Sequence, residues 1–453
     1  MPVTRPNILL VVIDCLRADR VFDADRSAQT PGLHALAERG VLFTHLITAN
    51  SMTIPCMTTM FSGMYPAHHG VRAMVGARVA DHVPLLAEVL RENGYNTYAE
   101  ASGPLSPFYR LDRGFDQYEL RDGVKSSLLG DWGDDLIERF RRRDFREPWF
   151  TYLHLWGVHR PRQIAPGFNT PEFGRTEYDR AVSSYDARLR DLLKVIDEEN
   201  TLIIVTGDHG EKIPENNLEN RVEFFKKSLS KGSQGKASSN LVRVRRKAVA
   251  SLRAGWFSAA RLLYRVGALD SPLATVTGHG YHVYDSLVRV PLVIAGGPAP
   301  TGRRVGDQVR QIDIMPTILD LAGLGDVTPP NADGRSLAPL MHGRPLPELP
   351  AFIETCQNSR EPSSFYGVRA GGYKYAYDAR NPKVPEELYD LNADPDETHN
   401  LAAARPEKTT ELRALIERHQ DQANMAAVAM TDEMSDTEMA GLAEHLRKLG
   451  YVE

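Results

Sequence analysis

Cysteine is scarce in this chain. The three cysteines, Cys15, Cys56 and Cys356, are scattered and odd in number, which excludes a disulfide framework and any zinc-knuckle spacing. Long hydrophobic runs are also missing: the apolar run Ile8–Ile13 is too short to cross a membrane and ends directly in Asp14, without the small residues of a leader cleavage site. The run therefore predicts a buried strand, and a cytoplasmic protein is the default expectation.

An excess of positive charge is missing as well. The 54 Lys and Arg are outnumbered by 59 Asp and Glu, so the net charge is −5. A nucleic-acid-binding surface is basic, and we therefore expect no nucleic-acid partner. A length of 453 residues with 42% hydrophobic residues is sufficient for a large core and predicts two domains, or one domain with a subdomain.

Acidic residues are absent from one stretch, 226–265, which has eleven Lys or Arg and no Asp or Glu. Apolar residues are interleaved with the basic ones, a pattern typical of an amphipathic helix. Such a helix can make a peripheral contact with an anionic membrane surface or close over an anionic substrate, and it can equally be a solvated helical insertion packed on its domain. We interpret residues 212–276 as a basic helical insertion and leave its role open.

Short apolar runs alternate with helix-like stretches through most of the chain. The runs of strand length are Ile8–Ile13, Trp149–Leu155, Leu202–Thr206 and Val290–Ala295. The helix-like stretches include Leu85–Asn93, Tyr178–Glu199 and Ile314–Ala322. This alternation predicts an α/β fold, with helices sandwiching a mainly parallel mixed sheet.

The sequence changes character after the proline-rich stretch Pro345–Pro350. The elements predicted beyond it are two antiparallel stretches and two helices: Phe365–Tyr377, Glu387–Leu391, Pro406–Ala423 and Met430–Tyr451. We therefore predict a main domain over residues 1–345 and a smaller C-terminal α+β subdomain, with a small antiparallel sheet and a helical tail, over residues 346–453.

Polar residues stand at the ends of three predicted strands. Asp14 ends the first run, His154 lies at the end of the second, and Asp208 and His209 follow the third. The carboxyl ends of parallel strands meet at one edge of a sheet, where ligands bind. Carboxylate and imidazole groups together can hold a divalent cation. Taken singly, each residue is as compatible with a structural role, in a turn, a helix cap or a polar contact, as with metal binding.

Thr53 stands at the start of another predicted helix, in the sequence Asn50-Ser51-Met52-Thr53-Ile54-Pro55-Cys56. Thr followed two residues later by Pro is a common helix-capping arrangement. The same position can also be functional, because N–H groups at a helix N-terminus favour a tetrahedral anion and a nearby metal would lower the pKa of the hydroxyl.

These residues belong to a longer series of motifs found in the same order in a known family. The series comprises Pro6-Asn7-Ile8-Leu9-Leu10, Ser62-Gly63-Met64-Tyr65-Pro66, Arg113-Gly114-Phe115-Asp116, Thr206-Gly207-Asp208-His209-Gly210-Glu211, Gly278-His279-Gly280, Arg289-Val290-Pro291-Leu292 and Asp313-Ile314-Met315-Pro316-Thr317. Over nearly its whole length the chain resembles the sulfatase family of the alkaline-phosphatase-like superfamily. The resemblance implies the alkaline-phosphatase-like sandwich as the fold, with 1–345 as the catalytic domain.

The resemblance also implies a metal-dependent hydrolase of sulfuric or phosphoric esters, with a small anionic ester as substrate. In that family, the residues at Asp14, Asp208 and His209 hold a divalent metal. Thr53 occupies the position of the nucleophile, which is also a metal ligand. The oligomeric state is not implied.

Three further histidines are assigned by the same resemblance. His159 and His279 would face the substrate, either as acids that protonate the leaving group or as groups that bind the anion. His154 is expected to be structural or to lie behind the metal ligands.

The departures from the family indicate the subtype. Sulfatases convert Cys or Ser to formylglycine within Cys/Ser-x-Pro-x-Arg, whereas here Thr53 takes the Cys/Ser position and Met57 that of the Arg. The usual second Asp after the opening strand is Cys15, and His209 replaces an Asn or Asp. Because the set of predicted metal ligands contains an imidazole, it is as compatible with Mn²⁺ or Zn²⁺ as with Ca²⁺ or Mg²⁺.

We therefore predict that metal-activated Thr53 attacks the ester and that the resulting Thr ester is hydrolysed by water. An alkyl sulfate ester on Thr would turn over poorly, so we expect the enzyme to attack phosphorus rather than sulfur. The predicted activity is therefore phosphodiesterase-like. Three alternatives stay open: a sulfuric ester hydrolase that acts without formylglycine, a catalytically degenerate member that binds an anion, and a transferase of a phosphoryl-alcohol group.

Overall fold

The computed structural model describes residues 5–123, 126–213, 278–355, 365–382, 384–426 and 432–449. The predicted basic helix at 226–265, and nearly all of the insertion predicted at 212–276, lie outside these residues. Among the helices in these ranges, none has the length and apolar character required to cross a membrane.

An eight-stranded sheet forms the centre of the fold, in the order β5-β4-β6-β1-β7-β8-β2-β9. Its strands are β1 Asn7–Ile13, β2 Gly40–Ile47, β4 Asn96–Ser102, β5 Gln117–Arg121, β6 Trp149–Leu155, β7 Thr201–Gly207, β8 Arg289–Ala295 and β9 Arg303–Arg310. Of these eight strands only β8 runs antiparallel to its neighbours. The predicted α/β fold with a mainly parallel mixed sheet is confirmed.

Helices cover both faces of this sheet. The helices of the larger part of the chain are α1 Ala18–Phe22, α2 Pro31–Glu38, α3 Thr53–Ser62, α4 Pro66–His69, α5 Leu86–Glu92, α6 Asp131–Arg142, α7 Glu177–Leu193, α8 Asp285–Val288, α9 Ile314–Leu321 and α10 Ala338–Met341. The strand β1 is buried on both faces: Leu10 packs in the core layer that contains Ile54 of α3, and Leu9 in the layer that contains Leu189 of α7. This two-sided burial explains why the central strands read as continuous apolar runs.

A second, antiparallel sheet follows in the C-terminal part, in the order β10-β11-β12-β13. Its strands are β10 Ala351–Thr355, β11 Phe365–Ala370, β12 Tyr373–Asp378 and β13 Glu387–Asp390, and the helices after it are α11 Pro406–Ala426 and α12 Asp436–Leu449. The antiparallel stretch predicted at Phe365–Tyr377 is a hairpin, because Gly371 and Gly372 both adopt positive φ and turn the chain. The smaller C-terminal sheet that was predicted is therefore present.

The end of the chain returns to the first part of the molecule. The short strand β14, Asp432–Glu433, pairs antiparallel with β3, Ala77–Arg78. Leu442 and Leu446 of α12 belong to the same core layer as β1 and α3.

A buried ion-pair cluster joins the small sheet to the larger part of the chain. Lys374 of β12 is 1% exposed, and its Nζ lies 2.8 Å from a carboxylate oxygen of Asp285 and 2.8 Å from one of Glu397. Arg369 also binds Asp285, at 2.6 Å. Burial raises the pKa of Glu397 to about 7. Lys374 is the cation beside Glu397, and its charge opposes this rise in the pKa.

We expect Lys374→Met to lower the free energy of unfolding by about 3–5 kcal/mol, because it leaves the buried Glu397 carboxylate unpaired. Without Lys374 the folded-state pKa of Glu397 rises further above its unfolded value, so the loss should be greater at pH 8 than at pH 6. Urea unfolding at both pH values measures it. The control is Lys408→Met, which removes an exposed pair with Glu411 and should cost only about 0.2–1 kcal/mol. Equal losses in the two variants would contradict the prediction.

Candidate active site

Three neighbouring strands bring their polar ends to one edge of the central sheet. Ile13, the last residue of β1, is paired with Leu155 of β6 and with Gly207 of β7. Asp14, which follows Ile13, is therefore level with Asp208, which follows Gly207, and with His154 near the end of β6. The strand-end positions predicted from sequence are brought together, and all three polar side chains are fully buried.

The two carboxylates of this edge face each other with incomplete hydrogen bonding. Asp208 Oδ1 accepts hydrogen bonds from the backbone N–H of Cys15 at 3.0 Å and of His209 at 2.8 Å. Asp208 Oδ2 and Asp14 Oδ1 are buried and accept no hydrogen bond from the described residues. Burial, together with the nearby charge of Asp208, raises the pKa of Asp14 well above its ordinary value. This arrangement requires a cation or a proton between the carboxylates.

Backbone carbonyl groups orient the two histidines beside the carboxylates. His209 Nδ1 lies 2.9 Å from the carbonyl oxygen of Gly210, and His154 Nδ1 lies 2.8 Å from that of Ser102. A carbonyl oxygen only accepts, so we assign the proton to Nδ1 in both rings. The unprotonated Nε2 of His209 is then 3.4 Å from Asp208 Oδ2. Both imidazoles present a lone pair to the carboxylate pair.

Thr53 is the first residue of α3 and is fully buried. Its Oγ1 lies 3.4 Å from Asp14 Oδ2 and 3.2 Å from His209 Nε2. The helix starts here because Met52 is extended and Pro55 stands in the first turn, where a missing N–H costs nothing. The hydroxyl is therefore positioned between the helix N-terminus and the predicted metal ligands.

His159 and His279 form the outer part of the cluster. The ring of His279 lies 4.4 Å from that of His209 and 5.2 Å from that of His159, measured between centroids. His159 stacks on Trp156 at 4.8 Å. Burial lowers the pKa of His159 to about 4 and that of His279 well below its ordinary value. Both rings are neutral at pH 7 without a ligand, so either needs an anion nearby to take up a proton before it can act as an acid.

Comparison with known families shows which family this chain belongs to. The family model described as Sulfatase matches residues 6–324, well over half of the chain. The chain belongs to the sulfatase family. A second model, described as the C-terminal part of N-sulphoglucosamine sulphohydrolase, matches residues 279–443. The chain is thus a sulfatase-family ester hydrolase, and the resemblance seen in its motifs is confirmed at this level.

Individual members of the sulfatase family are similar over most of their length. A choline-sulfatase of Rhizobium meliloti is 26% identical, over 89% of this chain and 83% of its own. A Δ4,5-hexuronate-2-O-sulfatase of Bacteroides thetaiotaomicron is 25% identical, over 88% and 85%. Among solved structures, a phosphonate monoester hydrolase of Agrobacterium radiobacter superposes with a TM-score of 0.66 at 20% identity, over 92% and 96%. This last similarity shows the fold alone.

The sulfatase family typically binds a divalent metal, and the buried residues of this site fit one. Asp14, His154 and Asp208 each offer a ligand atom, and these atoms lie within 4.8 Å of one another. The same holds for Asp14, Cys15 and His209. The buried oxygen atoms without hydrogen bonds belong to the two carboxylates in these sets, which are hard ligands for a divalent cation.

Met57 and Cys15, two positions that the sequence analysis singled out as departures, have distinct surroundings. Met57 is fully buried one turn after Thr53, and its sulfur accepts a hydrogen bond from Tyr152 Oη at 3.7 Å, so no cation comes from this turn of α3. Cys15 has a positive φ of 63°, an unusual conformation for a residue with a side chain. Its thiol lies 3.8 Å from both His209 Nδ1 and His279 Nδ1.

A group of arginines beside the site was missed by the sequence analysis. The buried Glu211 pairs with Arg162 and, at 3.4 Å, with Arg160, while its backbone oxygen accepts from Arg17 at 3.1 Å. Glu211 was recognised only as the last residue of the motif Thr206–Glu211. In the sequence His159-Arg160-Pro161-Arg162, two arginines come directly after a histidine of the site. This pattern is the signal that could have identified Arg160 and Arg162.

Proposed function

We propose that this chain hydrolyses phosphorus esters, with Thr53 as the nucleophile and Asp14, Asp208, His209 and Thr53 as the ligands of one divalent metal. The observation that carries the proposal is the position of the Thr53 hydroxyl, 3.2 Å from His209 Nε2 and 3.4 Å from Asp14 Oδ2 at the start of α3. A buried hydroxyl in contact with two metal-binding residues is typical of an activated nucleophile.

The formylglycine route has no support in the surroundings of α3. The neighbouring thiol, Cys56, is buried and directed at the carbonyl oxygen of Asn50 at 3.0 Å, and burial raises its pKa well above the ordinary value. The family Arg is replaced by Met57 within the apolar core. We therefore propose that residue 53 acts as unmodified threonine.

In this mechanism Thr53 Oγ1 attacks the phosphorus atom, and the alcohol of the ester leaves from the opposite side. Asp14 Oδ2 is the acceptor within reach of the Thr53 proton, and it returns this proton to Oγ1 when water cleaves the Thr53 ester. The N–H groups at the start of α3 stabilise the negative charge that develops on the phosphoryl oxygens. When bound, a divalent metal would lower the pKa of the Thr53 hydroxyl and neutralise charge on the ester.

The outer histidines complete the cycle. His279 or His159 takes up a proton as the anionic ester binds and then donates it to the departing alcohol oxygen. In the second step, the same ring accepts a proton from the water that hydrolyses the Thr53 ester. Phosphorus suits this route, because a phosphoester of an ordinary alcohol can be cleaved by in-line attack of water. A sulfate ester is the second candidate, favoured by the sulfatases among the similar proteins.

A substrate panel tests this choice. Wild-type protein is assayed with p-nitrophenyl phosphate, bis-p-nitrophenyl phosphate, p-nitrophenyl phenylphosphonate and p-nitrophenyl sulfate, with Mn²⁺ or Zn²⁺ added. We expect at least one phosphorus ester to be cleaved about 100-fold faster than the sulfate, which corresponds to about 2.7 kcal/mol in the barrier. The mass of the peptide that contains Thr53 should be that of unmodified threonine.

Two results would contradict the proposal. If the sulfate is cleaved fastest, the chain is a sulfuric ester hydrolase that acts without formylglycine. If the protein holds its metal but cleaves none of the four esters, the degenerate anion-binding alternative takes precedence.

A further inference from the structure

We propose that His154 is itself a metal ligand, so that two carboxylates and two imidazoles hold the metal together with Thr53 and select Zn²⁺ or Mn²⁺ over Ca²⁺ and Mg²⁺. This inference rests on the proposed function only in requiring a divalent metal at the site. It assigns a role to a residue that the family motifs leave as structural.

The position of His154 in β6 is the first argument. The strand is buried along its whole length, and its other residues, Trp149, Phe150, Thr151, Tyr152, Leu153 and Leu155, carry no charge. His154 is fully buried, and β6 lies directly beside β1, with His154 paired to Val12. A titratable ring at such a place costs free energy unless both of its nitrogen atoms find partners.

Only one nitrogen of the ring has a partner among the described residues. Nδ1 donates to the carbonyl oxygen of Ser102 at 2.8 Å, and the Ser102 hydroxyl in turn donates to the carbonyl oxygen of His154 at 2.5 Å. Ser102 therefore fixes the orientation of the ring and the tautomer. Nε2 is buried and makes no hydrogen bond with the described residues. A histidine whose Nδ1–H binds a carbonyl group is the usual arrangement of a metal-binding imidazole.

The surroundings of Nε2 identify what it binds. Its polar neighbours are Asp208 Oδ2 at 3.9 Å and Asp14 Oδ2 at 4.0 Å. These distances are too long for a hydrogen bond from a protonated Nε2. The lone pair of Nε2 and the two carboxylates repel one another unless a cation lies between them. The ligand atoms of Asp14, His154 and Asp208 are close enough together to bind one cation.

The loss of a family carboxylate fits this assignment. Cys15 takes the place of the usual second Asp, and its thiol is turned toward the rings of His209 and His279. His154 approaches from another strand and supplies a neutral nitrogen ligand in place of an anionic oxygen. Two carboxylates balance the charge of a divalent ion, and imidazole nitrogen favours Zn²⁺ and Mn²⁺ over Mg²⁺ and Ca²⁺.

The test counts imidazole ligands and measures affinity. Electron spin-echo spectroscopy of Mn²⁺-loaded wild-type protein should show two coordinated imidazole nitrogens, and His154→Asn should show one. Asn retains a donor near the Nδ1 position for the Ser102 carbonyl group but has nothing in place of Nε2. In competition with a chromophoric chelator, we expect the affinity of His154→Asn for Zn²⁺ to fall about 100-fold or more, and its affinity for Mg²⁺ less than about 10-fold.

Controls separate this inference from the proposed function. His45→Asn removes a half-buried imidazole on β2 and should leave metal affinity unchanged. A single imidazole signal in the wild type, or unchanged Zn²⁺ affinity in His154→Asn, would overturn the role of His154 while ester hydrolysis still supports the proposed function. A wild-type protein that binds no metal would overturn both. Should His154→Asn not fold, the imidazole count of the wild type decides alone.

Discussion

Thr53→Ala should lower kcat for the phosphorus ester cleaved fastest by about 10³-fold or more, because the variant retains the helix N-terminus but has no nucleophile. Removing the nucleophile of an enzyme that forms a covalent intermediate can lower kcat by about 2 × 10⁶-fold. Steady-state kinetics with saturating metal measures the loss. The adjacent N–H groups of α3 are backbone groups and stay in place, so KM should change much less than kcat.

Two variants make the Thr53 experiment specific. Thr53→Ser retains a hydroxyl and should keep a rate within about 100-fold of wild type, since the reacting group is the same. Thr58→Ala removes a buried hydroxyl on the same helix, one that donates to the carbonyl oxygen of Ile54 at 2.8 Å, and should leave kcat nearly unchanged. An unchanged rate in Thr53→Ala would show that another group attacks the ester.

Asp208→Asn should abolish metal binding while retaining the fold of the turn after β7. The amide oxygen can still accept from the backbone N–H groups of Cys15 and His209, as Asp208 Oδ1 does. The oxygen directed at Asp14 and the histidines is replaced by an NH₂ group, which cannot bind a cation. The wild type should gain about 4 kcal/mol of stability at a free metal concentration of 1,000 times Kd, and the variant should gain none.

Thermal unfolding with and without Zn²⁺ or Mn²⁺ measures this difference. The matched control is Asp186→Asn, because Asp186 is another buried carboxylate that accepts two backbone N–H groups, those of Gly32 and Leu33, but it lies on α7 away from the site. Its metal-dependent stabilisation should equal that of wild type. A persistent metal-dependent shift in Asp208→Asn would exclude Asp208 as a ligand.

Much of the fold could be predicted from local patterns. The runs predicted at Trp149–Leu155 and Val290–Ala295 match β6 and β8 within one residue, because strands buried on both faces must be apolar throughout. The helix predicted at Ile314–Ala322 ends at Leu321. The strands β2, β4, β5 and β9 were not predicted: β5, at Gln117–Arg121, has no buried residue and is polar, so its sequence lacks a strand pattern.

The strand directions required the tertiary structure. Nothing local distinguishes Val290–Ala295 from the parallel strands, yet β8 runs antiparallel between β7 and β2. Direction depends on the connection before a strand, and much of that connection, within 214–277, lies outside the described residues.

The sequence by itself determined the chemistry available at the site, because Asp14, Thr53 and the pair Asp208-His209 each stand where a local element starts or ends. Strand ends and helix starts are local properties, and so they can be read along the chain. Which further side chains join them was decided by the tertiary structure. His154 lies close to the two carboxylates only because β6 lies beside β1, with paired residues 142 positions apart in the chain, and because Ser102 orients its ring toward them. Such neighbours depend on strand order and ring orientation, which no local pattern contains.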